Sequence, residues 1–206
     1  SGLKEGEEAP ILLFYTSTGY RFPPMRYFDK NFDSFFWEND EGYTKQCMAY
    51  SVDGGKTFRK YENNPIIKQI VPLNRDPKVV WNAEENCWIM VLFLRDHSYQ
   101  FFFSDNLLHW EEGEIFSVRD GAECPDLFSL PLPGNANEKK WVLWAAPENY
   151  CIGYFEDRKF VQETPWRRNQ LITKEEYRTP RYAAQTFFGM PENNVYQIFF
   201  MPVRFE

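Results

Sequence analysis

Apolar side chains in this chain come in short runs divided by polar turns, and helical spacing is scarce. Residues 11–16, Ile-Leu-Leu-Phe-Tyr-Thr, have the apolar run and the length of a strand, and residues 47–51, Cys-Met-Ala-Tyr-Ser, read as the next. Further on the pattern pairs up. Arg75-Asp76-Pro77-Lys78-Val79-Val80-Trp81 runs into a polar turn and returns as Trp88-Ile89-Met90-Val91-Leu92-Phe93. Glu123-Cys124-Pro125-Asp126-Leu127-Phe128-Ser129-Leu130 does the same and returns as Trp141-Val142-Leu143-Trp144-Ala145-Ala146. A third hairpin joins residues 182–187 to residues 196–200. The turns between them, residues 82–86 and 133–137, hold the Asn, Gly and Pro that hairpin loops favour. Residues 173–177 allow one helical turn, which stops before Pro180.

These hairpins repeat. Ser51-Val52-Asp53-Gly54-Gly55-Lys56-Thr57-Phe58 is a Ser-x-Asp-x-Gly-x-Thr-aromatic turn, often called an Asp-box, and Ser104-Asp105-Asn106-Leu107-Leu108-His109-Trp110 is a weaker copy. Its Asp and Gly suit a bend and its hydroxyls suit backbone bonding, so Asp53 reads as structural. Ser51 and Ser104 stand 53 residues apart, as do Trp88 and Trp141, and Tyr196 follows Trp141 by 55. A repeat of about 50 residues built of short strands is the length of a propeller blade, and a sandwich would not echo in this way. The expectation from the repeat is an all-β chain, a β-propeller with four-stranded antiparallel blades. Residues 19–42, rich in Phe, Tyr and Trp, read as a long loop that lines a site.

Composition narrows the function. The 206 residues carry 23 basic and 30 acidic side chains, a formal net charge of −7, with no basic cluster to meet a phosphate backbone, so nucleic acid is not expected as a partner. Apolar runs are too short to cross a bilayer as helices, so no membrane partner is expected either. Cys47, Cys87, Cys124 and Cys151 form no CxxC pair, and His97 and His109 are the only histidines. No metal and no cofactor is therefore expected. Asp96-His97 lacks a nucleophile beside it and reads as rim or structure. Secreted and cytoplasmic placement both fit.

The chemistry falls to carboxylates. Asp76 and Glu123 open successive repeats, each close to a proline, where the first strands of propeller blades converge. Two acids in one hollow are the equipment for glycoside hydrolysis, one to donate a proton and one to stay ionised. Taken singly, Arg-Asp-Pro and Glu-Cys-Pro are ordinary turns; at repeat-related positions they point to a site. Arg75 reads as a partner that orients an acid, Cys124 as a packed thiol shaping the site, Asp126 as a blade-stabilising hydrogen bonder, and Trp81 as an aromatic able to stack on a sugar.

Asn74-Arg75-Asp76-Pro77-Lys78-Val79 and Ala122-Glu123-Cys124-Pro125-Asp126-Leu127-Phe128 resemble the Arg-Asp-Pro and Glu-Cys blocks of glycoside hydrolase family 32, the invertases, levanases, inulinases and other β-fructosidases. Tyr15-Thr16-Ser17, residues 49–58 and Tyr182-Ala183-Ala184-Gln185-Thr186-Phe187 agree with it, in the right order. The resemblance implies an incomplete five-bladed β-propeller, roughly blades two to five, with residues 1–206 as a single partial catalytic domain, and a retaining glycosidase acting on sucrose, levan, inulin or a fructo-oligosaccharide. It implies Glu123 as general acid/base, Asp76 as transition-state stabiliser, and Arg75, Cys124, Trp81, Tyr182 and Gln185 as substrate-side residues. The family's nucleophile lies in a Trp-Met-Asn-Asp-Pro-Asn-Gly block that does not occur here, so no residue is assigned as nucleophile and the chain alone is expected to be inactive. The first, nucleophile-bearing blade and the C-terminal β-sandwich of the family are expected to be missing, leaving open sheet edges that invite self-association. The alternatives are an arabinanase, xylosidase or sialidase type of propeller, or a carbohydrate-binding propeller without catalysis.

Overall fold

The computed structural model describes residues 9–18, 44–119, 123–168, 182–187 and 195–200; the aromatic stretch 19–42 and the turn expected at 173–177 lie outside them. The described residues contain no helix. Among the described residues no helix is long and apolar enough to cross a membrane. The chain divides into two compact units, residues 1–75 and 76–206.

In the first unit β1 (Ile11–Ser17), β2 (Lys45–Ser51) and β3 (Arg59–Lys60) form an antiparallel sheet in that order. The turn after β2 closes as its sequence requires. Asp53 accepts from the Ser51 hydroxyl at 2.7 Å, from the Thr57 hydroxyl at 2.6 Å and from the Thr57 amide at 3.0 Å. These donors hold its carboxyl well below the ordinary carboxylate range, the two hydroxyls contributing most. Gly54 and Gly55 take the left-handed backbone of the bend, at φ 71° and 86°.

The second unit carries fuller sheets. β4 (Arg75–Asn82, entering from the end of the first unit), β5 (Cys87–Phe93), β6 (Ser98–Ser104) and β7 (Glu111–Ser117) form one four-stranded antiparallel sheet. β8 (Asp126–Leu132), β9 (Asn135–Ala145), β10 (Asn149–Glu156) and β11 (Lys159–Gln162) form the next. Here a two-residue strand, β12 (Arg167–Arg168), also pairs with β10, so this blade has a fifth strand where four were expected. β9 begins well before Trp141, because Gly134 at φ 80° allows a tight turn and the ladder starts at once. β13 (Tyr182–Phe187) and β14 (Tyr196–Phe200) form the hairpin expected of them.

The repeat is real in hydrogen bonds as well as in sequence. Ser104 at the end of β6 accepts from the Leu107 amide at 2.8 Å, as Ser51 at the end of β2 accepts from the Gly55 amide at 2.9 Å. Asn106 replaces Asp53 as the acceptor that closes the turn. On that equivalence β1, β2 and β3 hold the places of β5, β6 and β7.

Burial explains the sequence pattern. β5 and β6 are covered on both faces, hence their unbroken apolar runs, whereas β7 is largely exposed and carries Glu111, Glu112 and Glu114 along its edge. The β4–β7 and β8–β12 sheets share one core. Phe101 meets Phe155 with ring centres 5.5 Å apart and Trp141 meets Phe155 at 5.4 Å, both edge to face. Phe128, Val142 and Trp144 pack in turn on Ala184, with Val195 and Phe199 beside them. Sheets packed face to face in chain order are the blades of a propeller.

Candidate active site

Three non-glycine residues set the geometry. Asp76, Cys124 and Ala183 adopt left-handed backbone, at φ 60°, 55° and 53°, each at the entrance of the first strand of its sheet. In β4 and the approach to β8 the next residue is a proline, Pro77 and Pro125. By this register the counterpart of Asp76 is Cys124, and Glu123 stands one residue earlier, level with Arg75. The two acids are therefore not at the same repeat position. They converge because a left-handed residue interrupts the alternation of side chains along a strand.

Converge they do: a carboxylate oxygen of Asp76, one of Glu123 and the sulfur of Cys124 lie within 4.8 Å of one another, all half-buried. Asp76 Oδ2 accepts from the Cys124 amide at 3.2 Å and lies 3.7 Å from the Cys124 thiol. Glu123 Oε2 accepts from the Tyr182 hydroxyl at 2.6 Å, and the Glu123 carbonyl accepts from the Ala146 amide at 3.3 Å. Three strand entrances thus hold two carboxylates by one main-chain amide and one phenol. Among the described residues this is also the one cluster whose donor atoms stand close enough to share a cation, although its carboxylates are already held by protein donors.

Beneath the acids lies an ion pair. Lys78 Nζ is 2.9 Å from Asp126 Oδ1, with the lysine side chain 9% exposed and the aspartate 0%. Lys78 also donates to the Thr186 carbonyl at 2.9 Å and to Gln185 Oε1 at 3.4 Å, while Asp126 accepts from the Thr186 hydroxyl at 3.0 Å and Gln197 Nε2 at 3.2 Å. One buried pair so links β4, β8, β13 and β14, and Asp126 has the structural place expected of it. Gln185 donates to the Pro125 carbonyl at 3.3 Å, so its amide braces the strand that carries Cys124.

The other expected residues divide. Tyr182 meets Glu123, as above. Arg75 donates to the Leu73 carbonyl at 2.7 Å. Trp81 is a correction: five residues beyond Asp76 on the same strand it stands ~16 Å along it at 3.3 Å per residue. Its ring sits edge to face with Trp88 at 5.2 Å, so it cannot stack on a sugar held by the acids. Tyr99 is one that the sequence pattern hides. It is fully buried at the start of β6, and its phenol is held far above the ordinary value, first by burial and then by the charges of Cys124, Asp76, Tyr182 and Glu123. A neutral phenol thus lies close behind the cluster. An aromatic in a two-sided apolar run looks like any core residue, and nothing local marked it.

The chain matches the family described as glycosyl hydrolases family 32 N-terminal domain over residues 11–203. It belongs to that family. Levanase of Bacillus subtilis (strain 168) is 32% identical over 210 residues, covering 94% of this chain and 27% of the levanase. An extracellular exo-inulinase of Meyerozyma guilliermondii is 35% identical over 173 residues, covering 76% of this chain and 32% of the inulinase. The chain thus spans roughly a third or less of these relatives. Among solved structures, fructofuranosidase from Schwanniomyces occidentalis complexed with fructose superposes at a TM-score of 0.61 with 34% identity, over 74% of this chain and 31% of that one. Exo-inulinase from Aspergillus awamori superposes at 0.68 over 97% of this chain and 42% of that one, at 23% identity, a likeness of fold. The fold class of this glycosyl hydrolase family 32 chain is the five-bladed β-propeller type, of which it carries part.

Proposed function

We propose that this chain is the acid/base-bearing part of a retaining β-fructosidase. The observation that carries the reading is the approach of Asp76 and Glu123 within 4.8 Å at two neighbouring strand entrances. In a retaining pair the acid/base and the nucleophile stand ~5–5.5 Å apart, so the nucleophile must come within that reach of Glu123, with Asp76 beside it as stabiliser. With Tyr182 donating to Glu123 Oε2, the catalytic proton belongs on Oε1. Glu123 gives that proton to the glycosidic oxygen, which keeps the electron pair of the breaking carbon–oxygen bond. A carboxylate nucleophile closes on the anomeric carbon to form an ester, and water deprotonated by Glu123 then cleaves the ester. Asp76, held through Oδ2 by the Cys124 amide, offers its other oxygen to fructose hydroxyls as charge develops.

The nucleophile is assigned to a carboxylate outside these residues, since the 206-residue sequence contains no Asn-Asp-Pro-Asn block. Relatives named levanase, exo-inulinase and invertase support a fructan or sucrose-like carbohydrate as substrate. The test is fructose release from sucrose, inulin and levan by the protein joined to a family segment that carries the nucleophile block. Glu123→Gln should lower the rate at least ~100-fold, the range for loss of a general acid. The 206-residue chain alone should release none. Full activity in the Gln variant rejects the acid/base assignment; fructose release by the pure chain shows another nucleophile.

A further inference from the structure

Gln46 breaks the apolar pattern of its strand. It is wholly buried at the second position of β2, ahead of Cys47, Met48 and Ala49, where an apolar side chain would fill the space with no polar group to satisfy. Its amide makes two bonds. Oε1 accepts from the Thr16 hydroxyl of β1 at 2.8 Å, and Nε2 donates to the Asn74 carbonyl at 3.3 Å. Asn74, also wholly buried, stands two residues before Asp76. It closes the bend that leads there, its Oδ1 accepting from the amides of Ile70 at 3.0 Å and Val71 at 3.3 Å. Within that bend Leu73 is left-handed at φ 73° and gives its amide to the Thr44 hydroxyl at 3.2 Å. Thr44 and Gln46 thus grip the chain just ahead of Asp76.

The repeat carries the same feature a second time. Tyr99 follows Gln46 by 53 residues, the interval that parts Ser51 from Ser104, and it too is the second residue of its strand, β6. It too is a polar side chain wholly buried. After burial, the charge that acts most on its phenol is that of Cys124, the counterpart of Asp76 one sheet later. We infer that Gln46 is a positioning residue for Asp76, fixing through the Asn74 carbonyl the approach of the chain to the left-handed residue that aims this acid. The inference rests on the fructosidase reading, in which Asp76 is the stabiliser. Left-handed Asp76 is strained, so its place depends on what holds the residues to either side. Two residues after it Lys78 is held by Asp126, and two residues before it Asn74 is held by Gln46. Without the Gln46 amide a buried carbonyl loses this donor, and the bend must turn to find another. That turn rotates the peptide units leading into Asp76.

Nitrogen–proton NMR on the 206-residue chain reads the place of Asp76 through the Cys124 amide, which donates to Asp76 Oδ2 at 3.2 Å. Asp76→Asn marks where that signal falls when the charge-assisted bond is gone. Gln46→Met, which keeps the length of the side chain and removes its amide, should move the Cys124 signal upfield toward that mark. Thr16→Val, which leaves the Gln46 amide unoriented, should move it the same way by less. Met48→Ala loosens the same strand without removing a bond to Asn74 and should leave it in place. The Thr57 amide, held by Asp53, reports that each variant is folded. In the joined enzyme Gln46→Met should lower kcat and kcat/KM together by ~10–100-fold, the effect of a small displacement at a catalytic group. A Cys124 signal unmoved in folded Gln46→Met, or in Thr16→Val should the first variant not fold, overturns the proposal and leaves the fructosidase reading standing. Equal movement in Met48→Ala also overturns it, since any loosening of β2 would then suffice. A signal that moves while kcat holds removes the stabiliser role of Asp76, and the catalytic role of Gln46 with it.

Discussion

The buried Lys78–Asp126 pair gives the sharpest test of how the site is held. Asp126→Asn keeps the shape of the side chain and removes its charge, leaving an ammonium that is 9% exposed facing an amide. Lys78→Met removes the cation and leaves a wholly buried carboxylate with only the Thr186 hydroxyl and Gln197 amide as donors. It also strips the Thr186 carbonyl of a 2.9 Å donor. Breaking one partner of a buried pair costs about 3–5 kcal/mol, a large share of a total stability of about 5–15 kcal/mol. Combining Lys78→Met with Asp126→Leu removes both charges, so the double variant should cost at least ~2 kcal/mol less than the two single changes added together. Urea unfolding followed by tryptophan fluorescence reads all of these. A single substitution costing under ~1 kcal/mol, or energies adding to within ~0.5 kcal/mol, refutes the claim that this pair fastens the inner strands.

Three further outcomes follow from local geometry. At Gly153 a Cβ would stand 2.2 Å from the Val161 carbonyl oxygen and 2.9 Å from the Phe160 ring, so Gly153→Ala should force β10 from β11 and cost about 1–3 kcal/mol; a thermal midpoint that holds or rises contradicts this. Asp53 titrates in the folded chain below its ordinary 3.8, so its contribution is present above that value and is lost as pH falls through the depressed folded value. The stability gap between the native chain and Asp53→Asn should therefore be full near pH 6 and shrink below about pH 3.8, and urea midpoints at several pH values check it. Burial pushes the Cys151 thiol up to about 12, so iodoacetamide at pH 8 should leave Cys151 unmodified until denaturant is added; mass spectrometry showing it labelled in the native chain would count against that burial.

Strands, hairpins and the repeat were legible because each rests on local physics. Apolar runs such as residues 88–93 reflect cover on both faces, and Asp53 and Gly54 announce their turn. The closeness of Asp76 and Glu123 was legible too, through the prolines. What local pattern cannot supply is direction. The residue before a proline is pushed to extended backbone, so nothing in Arg-Asp-Pro or Glu-Cys-Pro shows that Asp76 and Cys124 take the left-handed form. Trp81 was misjudged for a related reason, since a sugar-stacking ring and a rim ring at the far end of the strand look alike in sequence. Lys78 and Asp126 carried a signal that alignment on the prolines exposes: opposite charges at equivalent positions of consecutive apolar strands, the arrangement of partners.

The three left-handed residues and the ion pair belong to one device. Non-glycine residues at φ 60°, 55° and 53° cost of order 1–3 kcal/mol each, so the strand entrances would relax toward ordinary extended backbone if nothing opposed them. Two residues past Asp76 and past Cys124 stand Lys78 and Asp126, and two past Ala183 stands Gln185, which takes a bond from Lys78 and gives one to Pro125. The anchors sit one step inside the strain they hold. A relaxed Asp76 would swing its carboxylate off the Cys124 amide, and a relaxed Cys124 would carry Glu123 off the Tyr182 hydroxyl. Loss of the buried pair should therefore separate the two acids before it unfolds the sheets. In the joined enzyme proposed above, Asp126→Asn should accordingly lower kcat by more than its lost stability accounts for, at temperatures where the variant is still fully folded. An unchanged kcat in the folded variant would mean that the strand entrances keep their shape without the anchors.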